Sequence, residues 1–191
     1  MKGRISTQML TRMALLIALA IIAERVLSIR IPLGGTEGFR LGFGSLPIVF
    51  SGIFMGPLAG GLVGAIADLA GYFINPFGPY MPHFTLTSTL RGVIPGLVIL
   101  LASRGRREVG VFPLFLAVVA MFVIVNILIL PYFQEILFGL LRVVVVPTKI
   151  VEAAINIPVY TVILFTLGKV MERVFVSGYD KNVLRLSGRL W

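Results

Sequence analysis

Six apolar stretches recur along the chain at close to the length of a membrane-crossing helix. They are Met9–Ser28, Gly42–Met55, Leu58–Ile74, Phe84–Ala102, Phe112–Phe133 and Thr148–Val170. A hydrocarbon core of about 30 Å needs about 20 residues of helix. Backbone groups in lipid must be satisfied internally, so each stretch predicts a helix rather than an open strand. The second stretch holds Pro47 and is too short to cross alone without thinning, tilt or an irregular end. Gly56-Pro57 marks a tight turn between the second and third.

Polar connections separate the stretches. Ile29–Leu41 is a long connection carrying Arg30, Gly34, Gly35, Glu37 and Arg40. Asn75–His83 has three prolines and no acidic, Lys or Arg side chain. Ser103–Val111 is strongly basic. Pro131–Pro147 contains FQEILFGLLR, which reads as an interfacial half-helix. The pattern predicts an all-α, polytopic membrane protein of six helices. It forms a single membrane domain over 1–176, followed by a short basic tail over 177–191. Glu24-Arg25 after the first apolar core, with no small-residue cleavage site, argue against a cleaved signal peptide.

Composition agrees. Of 191 residues, 58% are hydrophobic and 13% charged, and the mean hydropathy is +1.01. Soluble domains carry roughly a quarter charged residues. The formal charge is +9, a value that first suggests nucleic acid. The distribution excludes that reading. With the N-terminus inside, the inner segments hold eleven of the 17 basic residues against three acidic ones, a net +8, while the remainder sums to +1. Such asymmetry follows the positive-inside rule and places both termini in the cytoplasm.

Charges inside spans are costly and mark function. They are Glu24, Arg25, Asp68, Arg91, Lys149 and Glu152. At 1.5 Å per residue, Arg25 lies roughly 24 Å and Asp68 roughly 15 Å above the inner ends of their helices, and Arg91 about 10 Å below the outer surface. All six then fall at or above the midplane. A proton or ion path would need polar groups through the whole thickness, so this set predicts a cup open to the outside. Lys149, Glu152, Asn156 and Tyr160 are spaced 3, 4 and 4 and share one helix face. That stripe reads as a pocket wall or as an ion pair with ordinary interhelical hydrogen bonds. Pro95, four residues after Arg91, cannot donate to its carbonyl and predicts a kink. Asp68 either serves the cup or pairs with Arg25 or Arg91.

Gly52, Gly56, Gly60 and Gly64 recur every four residues, a spacing that lets helix backbones approach closely. It predicts packing between helices two and three. Ala14 and Ala18 form a lone AxxxA on helix one, by itself a sign of internal packing. The sequence has no cysteine, one histidine and no P-loop, H-E-x-x-H or G-x-S-x-G. No catalytic residue, metal site or cofactor is therefore expected, nor ATP hydrolysis by this chain.

Arg40–Leu97 resembles the signature region of the folate family of S components, the substrate-binding membrane subunits of energy-coupling factor (ECF) transporters. The pieces that carry the resemblance are GFGSLPI, GPLAGGLVGAIADLAG, NPFGPYMPHFTL and the small, polar start of helix four. The resemblance implies a prokaryotic cell-membrane protein that is not an enzyme. It implies capture of a vitamin from outside through helices four to six and the odd-numbered outer loops. The implied partners are a transmembrane coupling subunit and two ATPase subunits, besides the bilayer. It also implies that Ala14 and Ala18 dock the coupling subunit.

The residues suit folate. Its two carboxylates call for Arg or Lys, for which Arg91, Lys149 and Arg40 are candidates. The pterin edge suits Glu152 or Asp68 with Asn156. Its flat rings suit aromatic faces, supplied by Phe39, Phe43, Phe77, Tyr80 and Phe84. Pantothenate or a deazapurine precursor is the alternative ligand within the class. A self-sufficient secondary transporter and a lipid-directed membrane enzyme are the alternatives outside it.

Overall fold

The computed structural model describes residues 7–26, 28–33, 36–74, 80–102 and 110–178, and side chains within these except at 25–41 and 171–178. The basic connection over 103–109, Phe77 and the tail beyond 178 lie outside the described residues. The helices are α1 (Thr7–Val26), α2 (Leu46–Met55), α3 (Pro57–Ile74), α4 (Pro82–Ala102), α5 (Val111–Met121), α6 (Leu130–Phe138) and α7 (Arg142–Gly178). A π-helical segment, Phe122–Ile129, joins α5 to α6 without a break. Among the described residues, five continuous helical stretches are long and apolar enough to cross a membrane, and α2 is a shorter apolar helix. At ten residues α2 extends about 15 Å, half a bilayer core.

Three boundaries depart from the sequence reading. The fifth span runs to Phe138, so FQEILFGLLR is not a separate interfacial piece. Pro131 sits inside this continuous helical stretch, where it has no N–H to donate to the preceding turn. Gly139, at φ +67, ends α6 in the left-handed conformation that glycine adopts without a Cβ penalty. The sixth span begins at Arg142 rather than Thr148. The long connection after α1 is an antiparallel hairpin, β1 (Ser28–Leu33) with β2 (Thr36–Gly42). The helical class stands, with this hairpin added to it. Its register shifts between Ile31 and Pro32, where proline cannot donate to the ladder.

The glycine stripe packs as its spacing predicts, and more tightly, because α4 joins it. A Cβ added at Gly52 would lie 2.0 Å from the Gly92 carbonyl oxygen. One at Gly60 would lie 2.5 Å from Gly52 Cα, and one at Gly64 2.2 Å from the Ser88 carbonyl oxygen. Lipid tails offer helices no hydrophobic gain on pairing, so close backbone packing carries the association of α2, α3 and α4. Gly56, at φ +94, turns the chain from α2 into α3. A second core joins α2, α4, α5 and α7 through Val49, Ile99, Val118, Met121 and Leu164. Helix α1 meets α2 and α3 through Met13 and Ala20 and leaves Leu10, Leu15, Leu19 and Ile22 exposed.

Candidate substrate site

Four elements converge on one polar chain inside the bundle. Arg91 of α4 donates from Nη1 to Ser45 Oγ, at the start of α2, over 3.4 Å. Its Nη2 donates to Asn126 Oδ1, in the π segment, over 3.5 Å. Asn126 Nδ2 donates to Glu152 Oε1 of α7 over 3.4 Å. Glu152 Oε2 accepts from Lys149 Nζ at 2.8 Å. Arg91, Lys149 and Glu152 are 8%, 1% and 5% exposed, so all three charges are withdrawn from solvent.

These charges are not equally matched. Lys149 and Glu152 form a short ion pair, one turn apart on α7. Arg91 meets a hydroxyl and an amide, both at long range, and its Nε has no hydrogen-bond partner. Two cations and one carboxylate give the chain a net charge of +1 among the described residues. A buried cation is costly unless it is paired. The arrangement therefore favours an incoming anion, and a guanidinium suits a carboxylate because it can offer two parallel N–H donors.

The helix-seven stripe is buried as its periodicity predicts. Asn156 follows Glu152 by one turn, and Tyr160 donates from its hydroxyl to the Gly42 carbonyl at 2.7 Å. That bond ties the end of the β-hairpin to the face of α7 that carries the ion pair. Helix α4 runs on through Pro95 without interruption.

Asp68 belongs to a different cluster. Its Oδ2 accepts from Thr85 Oγ1 at 2.7 Å, and Thr85 Oγ1 lies 2.8 Å from the Tyr80 hydroxyl. The structure thus brings Asp68 and Tyr80 together around Thr85. Phe84 lies against His83, ring centroids 4.1 Å apart, and His83 also stacks on Phe133 at 5.4 Å. Phe43 is largely exposed beside the hairpin's end. The side chains of Phe39 and Arg40 in β2, and of Arg25, lie outside the described ones.

Ser45, Asn126 and Phe133 are participants that the sequence reading passed over. Asn126 left a signal, as the single polar residue between Val111 and Pro131. A search limited to charges misses it.

Residues 4–173 match the family described as ECF-type riboflavin transporter, S component. The chain is an ECF S component. The folate transporter FolT of Clostridium novyi (strain NT) is 35% identical to this S component over 162 residues, covering 85% of this chain and 88% of that protein. Among solved structures, FolT bound with folic acid superposes with a TM-score of 0.72 at 24% identity, covering 86% of this S component and 94% of that chain. An S component of a bacterial ECF transporter superposes at 0.63 and 20% identity, covering 88% and 97%. These two likenesses establish the shared fold. The resemblance read from Arg40–Leu97 is thereby borne out, as is the expectation of a polytopic membrane transport subunit.

Proposed function

We propose that this S component binds folate or a folate-like dianion from outside the cell and delivers it to an ECF transport complex. The observation that carries the reading is the buried Arg91 guanidinium, which meets no carboxylate among the described residues. Riboflavin, named in the family description, has no anionic group to meet that cation. The folate transporter relative points the same way. In this reading Arg91 holds a ligand carboxylate. Glu152, fixed by Lys149, accepts from the donor edge of a pterin, with Asn156 beside it. Phe43 and Phe84 offer ring faces, while Asp68 and Tyr80 brace α3 against α4 through Thr85. The protein acts as a binding subunit and not as an enzyme, in a prokaryotic cell membrane, with both termini in the cytoplasm.

With no P-loop in the chain, capture itself needs no nucleotide. Calorimetry on the detergent-solubilised protein alone is expected to give saturable heat with folate, without ATP or partner subunits, and none with riboflavin. Tight riboflavin binding without a folate signal overturns the reading.

Docking of the coupling subunit belongs to the exposed face of α1. Ala14 and Ala18 are exposed one turn apart, while Met13 and Ala20 face the bundle. Small residues at this spacing leave a groove for a partner helix. Ala14→Trp or Ala18→Trp is expected to abolish vitamin uptake and co-purification with the coupling subunit and its two ATPases. Ligand affinity of the solitary variant should stay within about threefold, a few tenths of a kcal/mol. Loss of ligand binding by the solitary variant would return these alanines to internal packing.

A further inference from the structure

Asn126 stands between two opposite charges, the Arg91 guanidinium and the Glu152 carboxylate. Its Oδ1 faces Arg91 Nη2 and its Nδ2 faces Glu152 Oε1. The amide dipole lies along the field, with oxygen toward the cation and N–H toward the carboxylate. Arg–carboxylate pairs close to about 2.7–2.9 Å and are often bidentate. Here the two amide contacts are 3.5 and 3.4 Å, longer than the usual N–H···O distance and readily exchanged. Glu152 meanwhile has its own cation, Lys149, at 2.8 Å.

The backbone explains how the amide comes to sit there. Asn126 lies inside the π-helical segment, a geometry that concentrates at functional sites. Pro131 occupies the position five residues on, where a π turn would draw its donor, and it has no N–H. A full-length apolar helix needs neither the wider turn nor a buried carboxamide. Pro131 accounts for the wider turn, and the buried carboxamide is accounted for by a need to hold one polar side chain between α4 and α7.

We propose that Asn126 is a selectivity-determining spacer: it keeps Arg91 from being neutralised by Glu152, leaving the guanidinium for the ligand's anionic group, and it yields its long contacts when that group enters. The proposal rests on the anionic-ligand reading above. It concerns how the site keeps its charge available.

Titrating the purified full chain with folate and with folate whose two carboxylates are converted to amides separates the possibilities. Wild type is expected to prefer folate strongly. Equal affinity for the two ligands would refute the anionic reading itself, and with it the spacer, before any variant is made. Asn126→Asp places a carboxylate against Arg91. The spacer role predicts a loss of folate affinity of at least 100-fold and a fall of at least 30-fold in the folate-to-diamide ratio. The ligand-free melting temperature should change little, because the new carboxylate pairs with Arg91 but also sets an acceptor against Glu152 Oε1 where Nδ2 donated. Asn126→Leu removes the amide without adding charge, and it should keep the preference for folate even as affinity drops. Parallel loss of both ligands in both variants, an unchanged ratio in Asn126→Asp, or failure of Asn126→Asp to fold assigns the amide to structure alone and overturns the proposal.

Discussion

Arg91→Ala is expected to lose folate binding by roughly 30- to 5,000-fold in Kd, corresponding to about 2–5 kcal/mol for truncating one partner of a buried charged contact. The size follows from the site's charge. Lys149 is already neutralised by Glu152, so Arg91 supplies the uncompensated cation among the described residues. Because that cation meets no acidic partner among the described residues, its removal should not lower thermal stability. The variant is expected to stay monodisperse and to melt at or above the wild-type temperature. Arg91→Lys should recover only part of the affinity, since an ammonium keeps the charge but loses the planar two-pronged donor. Affinity titrations alongside thermal melts on the three proteins decide the matter. Unchanged affinity with a lowered melting temperature would make Arg91 a structural residue holding Ser45 and Asn126.

Gly92→Ala is expected to have the largest effect on folding. An ideal Cβ there would lie 2.1 Å from the Gly60 carbonyl oxygen and 2.2 Å from its carbon. Both are backbone atoms of α3, so no rotamer change relieves the clash and the helices must part. Overpacking typically costs about 1–3 kcal/mol and occasionally more. This contact belongs at the upper end or beyond, because parting α3 from α4 also breaks the Gly60–Gly92 and Gly64–Ser88 contacts beside it. Gly92 follows Arg91 directly, so splayed helices would also carry the guanidinium away from Ser45 and Asn126. Gly92→Ala should therefore show a lower melting temperature and weaker ligand binding together. Gly110→Ala serves as the control. Its Cβ would meet nothing closer than Pro113 Cδ at 3.4 Å, and wild-type behaviour is expected. A Gly92→Ala protein with wild-type melting and affinity would show that the glycine contacts are not required for packing.

The signals that were legible in the chain are those that a helix writes locally. Length and hydropathy mark the spans, because each must cross about 30 Å of hydrocarbon with its backbone bonds internal. Four-residue spacing marks the glycine face. The 3, 4, 4 spacing marks the α7 stripe, since residues three or four apart share a side of the helix. The hairpin was less visible, although Ile29-Arg30-Ile31 alternates and Gly34-Gly35 is a turn signal. Its six- and seven-residue strands lay in a segment read only as a connection.

Which face meets which is a different kind of information. Arg91 reaches Ser45 across 46 positions and Asn126 across 35, and Asn126 reaches Glu152 across 26. No periodicity spans such separations, so Arg91 could be matched by eye with Asp68 as readily as with anything else. Packing of α3 on α4 brings Asp68 to Thr85. The π turn that carries Asn126 lies in a uniformly apolar run with the ordinary look of an α-helix. By itself, then, the sequence determined a polytopic membrane protein, its glycine-packed helices and the charged residues from which a site could be built. Tertiary structure decided which charges are paired, which one is left for a ligand and which neutral residue keeps them apart, because those outcomes depend on distances between helices rather than on spacing along one.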